Sequence, residues 1–464
     1  MHGRSRGGAG SVAGRELTRA RAIVPHSTAP RRARLPSPPA ELSLSGHELS
    51  EAHAALLGGA LAHNATLREL AVGTPTTGAA AAAALAPGVA VSALRSIDLA
   101  NRGLEGAAGG AALGAMLAAP STLASVDASR NALGDEGLEA LATALGANAS
   151  SELARLDLAE CGVGDAGAAA LAAAMCVNGG GPALQALRLA GNATLGCAGA
   201  AALVAAGVAS GSLRELDLSD TAAGAGAGAA EWLNAHGASV SALTLARCKL
   251  APEAFEALVD GMEAADGGSS LEMLDVSGNE CVGDAGAVRL AERALAPAGG
   301  TLAALDLSEC GVGAVGAGAL FRAVGGVRRL SLRGNEGVGD GGALELAAVL
   351  RVGGDGETAA AALASCEELC LASCGIGAAG AEALFDALAG GGAPSLRTLE
   401  MGGNDVGDDA CMERWKAAVT ALREARPALD VQWKAGERGD AGMSEQEREA
   451  LRARVMGTAA PLAG

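Results

Sequence analysis

The sequence predicts an α/β solenoid, with a parallel β-sheet along one face and α-helices along the other, and two observations carry that prediction. The first is a change of period within one stretch, Leu153 to Met175. Leu156 and Leu158 alternate with Arg155, Asp157 and Ala159, the period-two pattern of a short strand, and from Asp165 the apolar residues Leu171 and Met175 fall at helical spacing. The second is recurrence. The leading residue of that stretch returns as Leu67, Leu94, Leu123, Leu153, Leu184, Leu213, Val240, Leu271, Leu302, Val327, Cys366 and Leu396, at intervals of 25 to 31 residues with one of 39. Weaker units at Leu42–Leu44 and Leu429–Val431 bring the total to about fourteen strands.

Within each unit the elements follow in a fixed order. Apolar residues at positions one, four and six form the buried side of the strand. Position nine holds Asn131, Cys161, Asn192, Thr221, Cys248, Asn279, Cys310, Asn335, Cys374 and Asn404, so Asn and Cys alternate with one slip at Thr221. A Gly-Asp pair then opens the helix, and the Asp165 carboxylate is expected to cap the helix it begins by accepting its otherwise unpaired N–H groups. The 39-residue interval carries Gly353-Gly-Asp-Gly-Glu357-Thr, read as a tolerated exposed loop within a 351–365 insertion.

This pattern resembles the leucine-rich repeat family over residues 39–434, which implies a right-handed horseshoe with the sheet on its concave face and the helices on its convex face. The Asn/Cys alternation is similar to that of the ribonuclease-inhibitor subtype, shared with NOD-like receptors and the Ran GTPase-activating protein. The resemblance implies that Asn131, Cys161, Asn192, Cys248, Asn279, Cys310, Asn335, Cys374 and Asn404 form a structural ladder that bonds loop backbone, with no catalytic part.

Composition bounds the rest. A solenoid grows by adding units, so 464 residues need only one elongated domain. Residues 1–38 read as a disordered Arg/Pro-rich tail, a composition shared by organelle transit peptides. Residues 435–464 read as a C-terminal tail with a short charged helix, Glu445 to Met456, opened by the capping box Ser444/Glu447. Trp415 and Trp433 are placed to close the last unit. Of the 34 basic and 52 acidic residues, eight and one fall in residues 1–40, leaving about −25 on the remainder. Such a surface disfavours nucleic acid and anionic membranes and favours basic proteins. No stretch reads as a signal peptide or a transmembrane helix, so the ten cysteines are expected to be reduced and the protein cytoplasmic, or organelle-imported if the tail is a transit peptide.

Candidates for chemistry are few. Cys366, Cys370 and Cys374 point in different directions from one strand and loop, and His53 and His63 lie almost opposite on one helix, so no metal site is expected. Cys370, at position five, faces the open side of the sheet and reads as a small residue or an exposed thiol. No glycine-rich phosphate loop precedes Lys249, Lys416 or Lys434, and no Ser/His/Asp set emerges. Neither catalysis nor a cofactor is expected.

The open face of the sheet remains. Position five reads Ser43, Ala71, Asp98, Asp127, Asp157, Arg188, Asp217, Thr244, Asp275, Asp306, Ser331, Cys370, Glu400 and Asp430. The expected partner surface is Asp98, Asp127, Asp157, Arg188, Asp217, Asp275, Asp306, Arg333 and Glu400. Asp157→Ala on such a solvated stripe should change stability by well under about 1 kcal/mol, or improve it slightly by relieving repulsion. The function read from this is a non-enzymatic, monomeric scaffold that binds a basic protein. The alternative is GTPase activation of a Ran-type GTPase, implied by the resemblance alone, with Asn101-Arg102 and Arg130-Asn131 as its nearest candidates.

Overall fold

The computed structural model describes residues 40–118, 121–148, 151–176, 183–236, 239–264, 270–295, 302–351, 363–404 and 407–433. The tail 1–38, the Gly353–Thr358 loop and the helix expected at 445–456 lie outside them.

Fourteen strands pair in parallel, strictly in sequence order, as one open sheet. They run from β1 (Glu41–Ser45) and β2 (Glu69–Gly73) through β3 (Ser96–Asp98), β4 (Ser125–Asp127), β5 (Arg155–Asp157), β6 (Ala186–Arg188) and β7 (Glu215–Asp217). They continue as β8 (Ala242–Thr244), β9 (Met273–Asp275), β10 (Ala304–Asp306), β11 (Arg329–Ser331), β12 (Glu368–Cys370), β13 (Thr398–Glu400) and β14 (Asp430–Gln432). A helix follows every strand from β1 to β13, so each crossover returns the chain to the next parallel position, the arrangement that parallel pairing demands. No described helix is long and apolar enough to cross a membrane.

The predicted faces hold. Leu153, Leu156 and Leu158 are buried, as are Leu171 and Met175 of the helix Asp165–Met175. They belong to one apolar core that extends from Leu49 to Val431. Trp415 is fully buried at the last helix, Asp409–Ala425, edge-on to Phe385 at 5.6 Å and 6.2 Å from the partly buried Trp433. The expected closure of the final unit is therefore present. Arg426 reinforces it by donating to the carbonyls of Gly392, Ala393 and Leu396.

The position-nine ladder explains why Asn and Cys alternate. The loop after each strand has inward N–H groups with no partner in its own unit, and buried donors must be paired. Asn192 supplies the acceptor from the next unit: its Oδ1 takes the N–H groups of Cys161 (3.0 Å) and Val163 (2.9 Å). Its Nδ2 donates to Leu158 O (3.0 Å) and Leu189 O (2.7 Å). Asn335 and Asn404 repeat all four bonds, to the units of Cys310 and Cys374. A cysteine offers no comparable acceptor and keeps the backward donation, Cys161 Sγ to Ala128 O at 3.2 Å and Cys248 Sγ to Leu218 O at 2.8 Å, beside longer contacts to Ala159 O and Ala246 O in its own unit. Burial pushes the thiols of Cys161, Cys248 and Cys374 up to about 12, which keeps them protonated and able to donate. Thr221 fits the same slot by bonding Leu218 O in its own unit.

Position eight is left-handed in every unit from Asn101 to Gly403, with glycine before Asn192, Asn279, Asn335 and Asn404. The alternation has a steric cause. A Cβ on Gly191 would lie 2.7 Å from Glu160 Cγ, because the position-eight side chain of one unit covers the backbone of the next.

One expectation is corrected. The Asp165 carboxylate does cap a helix, but not its own: the helix Asp165–Met175 has Gly164 at its N-cap with no side-chain bond. Asp165 Oδ1 instead accepts from Gly196 N and Gly199 N, both at 2.8 Å, at the start of the following helix Cys197–Ser210. Asp135, Asp284 and Asp340 do the same for the helices after them. The helices stack side by side, so a carboxylate at the head of one reaches the free N–H groups at the head of its neighbour.

Asn192→Ala is expected to cost about 2 to 5 kcal/mol, since it strands the buried N–H groups of Cys161 and Val163. Asp165→Ala should cost about 1 to 2 kcal/mol, the range of a lost cap. Chemical denaturation of each variant checks both, and a smaller loss for Asn192→Ala than for Asp165→Ala would contradict the assignment.

Candidate functional site

The open face of the sheet is lined by positions three and five, and strand register turns position five into one column. Asp98, Asp127 and Asp157 lie side by side on β3, β4 and β5, followed by Arg188, Asp217, Thr244, Asp275, Asp306, Ser331, Cys370 and Glu400. At the last strand the column shifts. Gln432, not Asp430, sits beside Glu400, because Val431 is the buried residue of β14 and pairs with Leu399.

The aspartates point to this face, as predicted, but they are not a solvated stripe. Each uses Oδ1 to accept the N–H of the residue two positions on: Ala100, Ser129, Ala159, Ser219, Ser277 and Ser308, at 2.9 to 3.0 Å. The flanking N–H groups reach the next strand, as Leu99 N does to Asp127 O and Asn101 N to Ser129 O. The one between them is left to the aspartate, an Asx turn where the strand ends. In four units the serine hydroxyl donates to the same oxygen at 2.5 to 2.7 Å. The recurring Asp-x-Ser was the sequence signal for this role, and charge alone did not reveal it.

Exposure divides the column. Asp98, Asp127 and Asp157 are half-buried, whereas Asp217 is 6% exposed and Asp275 and Asp306 are 0% exposed. On that same middle stretch Ala242, Met273 and Ala304 at position three form a small apolar cluster of their own. The expectation that all six aspartates are displayed is therefore corrected for Asp217, Asp275 and Asp306. Arg188 stands between opposite charges, 3.6 Å from Asp157 and 3.5 Å from Glu215.

Burial pushes the Asp157 carboxyl up to about 6; the bond from Ala159 N–H pulls it down, Asp127 pushes it up again and Arg188 opposes. The small or slightly favourable effect expected of its substitution becomes a larger, pH-dependent one, with desolvation rather than repulsion as its main cause. The raised value means that the folded protein takes up a proton that the unfolded chain, near 3.8, does not, so this group destabilises above pH 6 and the penalty fades as pH falls to 4. Asp157→Asn keeps an acceptor for Ala159 and removes the charge. It should stabilise the protein by about 1 to 2 kcal/mol at pH 8 and by almost nothing near pH 4. Asp157→Ala, which loses the turn as well, should gain less at every pH. Thermal unfolding across this range checks the sign.

Toward the other end of the face, over β10 to β14, lies a pocket of about 260 Å³ bordered by Arg329, Ser331, Arg333, Glu368, Cys370, Thr398 and Glu400. Arg329 is bonded to Glu368 at 2.7 Å. Cys370 is half-buried, donates to Glu400 Oε2 at 3.2 Å, and has its thiol pushed up by burial and by Glu400, so it is not an exposed reactive thiol. No group of His, Cys, Asp and Glu able to hold a metal occurs among the described residues.

The residues considered for GTPase activation are mostly in structural use. Arg102 occupies position nine of its unit and donates through Nε to Val72 O, the backward bond that Asn or Cys makes elsewhere, and through Nη2 to Ser45 Oγ. Asn131 is 1% exposed and bonds Arg102 N, Leu104 N, Leu99 O and Ala128 O. Arg130 pairs with Glu160 at 3.3 Å.

Seven segments of the chain, residues 120–142, 151–172, 269–291, 301–321, 327–347, 367–385 and 392–413, match the family described as "Leucine Rich repeat". No curated protein matches the sequence. Among solved structures, "Crystal structure of Rad7 and Elc1 complex in yeast" is similar at 16% identity and a TM-score of 0.48, over 87% of this chain and 89% of that one.

Proposed function

We propose that this chain, which carries leucine-rich repeats, is a non-enzymatic scaffold that binds a basic protein on the open face of its sheet. The observation that carries the reading is the run Asp98, Asp127, Asp157. These are three half-exposed carboxylates in register on adjacent parallel strands, each with Oδ1 held by a backbone bond and so fixed in direction. Fixed carboxylates lose little side-chain entropy when a guanidinium or ammonium group arrives. The acidic balance of the chain adds a long-range attraction that raises the rate of encounter. With few aromatic side chains available, affinity comes from many moderate contacts rather than from a few large anchors.

The ladder supports the ribonuclease-inhibitor-like subtype within the same proposal, because its Asn and Cys positions carry alternating bond sets. The proposal takes the protein as a cytoplasmic monomer, with Arg188, Arg333 and Glu400 as further contact residues.

The test uses ionic strength. Raising salt from about 0.01 M to about 0.15 M shortens the screening length from roughly 30 Å to 8 Å. Association with a partner retained by the full-length protein should then slow severalfold while dissociation changes little. Asp98→Asn with Asp127→Asn should reproduce part of that loss while the fold is kept, since Asn preserves the turn. Retention of neutral or acidic partners, indifferent to salt and to both substitutions, would move the interface off this face.

A further inference from the structure

In a repeat protein, a recurring residue shows what the fold needs, and a departure from the recurrence shows where something else is needed. Position seven is Ala, Ser or Gly in every unit from Gly73 to Gly402 except one, where it is Arg333. Arg333 is half-buried, its guanidinium makes no hydrogen bond or ion pair among the described residues, and it borders the pocket over β10 to β14. Its neighbour Arg329 is already matched by Glu368, so the pocket's basic capacity lies in Arg333. No ion pair joins Arg333 to Glu400, which accepts the Cys370 thiol and keeps its other carboxylate oxygen for a ligand. The hydroxyls of Ser331 and Thr398 border the same space. A guanidinium with no partner in a half-buried position is costly to keep, since it loses hydration without recovering bonds.

We propose that this pocket is a bipolar anchor for a protein partner, in which an acidic side chain is received by Arg333 and an adjacent basic side chain by Glu400. The inference rests on the reading of the open face as a partner surface and adds a requirement to it. The partner segment is basic where it crosses β3 to β5, and carries an acidic residue next to a basic one where it reaches β11 to β13. A carboxylate matches the planar fork of Arg333 with two parallel bonds, and the pocket has room for one or two side chains rather than a folded element. Because the two ends of the face differ in charge pattern, the anchor also fixes the direction in which the segment lies.

The test measures binding of short acetylated and amidated peptides to the full-length protein by fluorescence anisotropy. The peptides have a Ser/Gly background carrying Lys beside Asp, Lys alone, Asp alone, Lys beside phosphoserine, or no charge. The Lys-Asp peptide should bind at least about tenfold tighter than either single-charge peptide, the effect of one added charged hydrogen bond. Arg333→Gln should erase its advantage over Lys alone, Glu400→Gln should erase its advantage over Asp alone, and Arg333→Glu should make the Lys peptide the best ligand. Equal unfolding temperatures show that the variants are folded, and Arg333→Ala provides a second loss of the cation. Three results would overturn the anchor: no preference for the paired charges, a profile unchanged by Arg333→Gln and Arg333→Ala, or phosphoserine outbinding Asp about tenfold, which would mark a phosphate site. Failure of the broader reading is distinguishable. It would appear as Lys-peptide binding that ignores Asp98→Asn and Asp127→Asn, whatever Arg333 does.

Discussion

The structure depends on one constraint: in the loops between strand and helix, buried N–H groups such as those of Cys161, Val163, Cys310 and Val312 find their acceptor outside their own unit. They are completed by the unit that follows. Asn192 closes the loop of Cys161, Asn335 that of Cys310 and Asn404 that of Cys374, each through a single amide, buried in the first two and half-buried in the third, that accepts two bonds and donates two. The aspartates at the helix starts tie the units together in the reverse direction on the opposite layer, where Asp135 and Asp165 complete the N–H groups of the helices that come after them. Stability in this chain is therefore largely a property of the junctions between units, as expected of a quasi-one-dimensional protein. An alanine-rich helix that buries modest apolar area can be kept, because its ends are tied to its neighbours by charge-assisted bonds.

A rule of completion by the next unit makes the two ends unequal. At the C-terminal end β14 is the last described strand, and the chain closes it with other devices: the buried ring of Trp415 against Phe385, Trp433 beside it, Arg423 donating to Val431 O of β14, and Arg426 donating to carbonyls of the loop before β13. At the other end β1 is more exposed, with Leu42 37% exposed and Leu44 half-buried. The ladder also begins there with a substitute, since Arg102 makes the backward bond to Val72 O while Asn131 closes its loop. That explains why an arginine stands at a position held by Asn, Cys or Thr farther along, without recourse to catalysis.

Much of this was legible in the sequence, and the limit has a physical form. Periodicity within a unit reveals which side chains are buried, so the strands, the core leucines and the ladder positions could all be placed. Contacts between units are not periodic information. Whether Asp165 caps its own helix or the next depends on how closely two helices lie, and only the fold sets that distance. The column of aspartates was misjudged for a related reason. Charge suggested display, whereas the serine two residues beyond Asp127, Asp217, Asp275 and Asp306 marked a turn bond that fixes one oxygen of each. Register at β14 was also a matter of packing, because Leu429 and Val431 turn inward and leave Asp430 two residues off the column, beside Thr398.

These structural uses narrow where function can lie. Position nine is committed to the ladder, position eight to a left-handed turn, and position five to the Asx bond in six units. What the fold leaves open is the second oxygen of the half-exposed aspartates, the residues at position three, and the places where a unit breaks its own rule. Asp98 and Asp127 supply the first, Asp157 sharing its second oxygen with Arg188, while Ser96, Ser125 and Arg155 supply the second and Arg333 the third. A binding surface assembled from such leftovers is thin in apolar area, with Met273 and its two alanine neighbours buried in a cluster of their own. Recognition on this face must then be carried by the direction and order of charges, which rigid parallel strands hold at a constant spacing of about 4.8 Å. A partner is selected by matching that order along its length, and the Asx bonds serve recognition as well as folding, because a carboxylate that cannot swing presents the same pattern to every encounter.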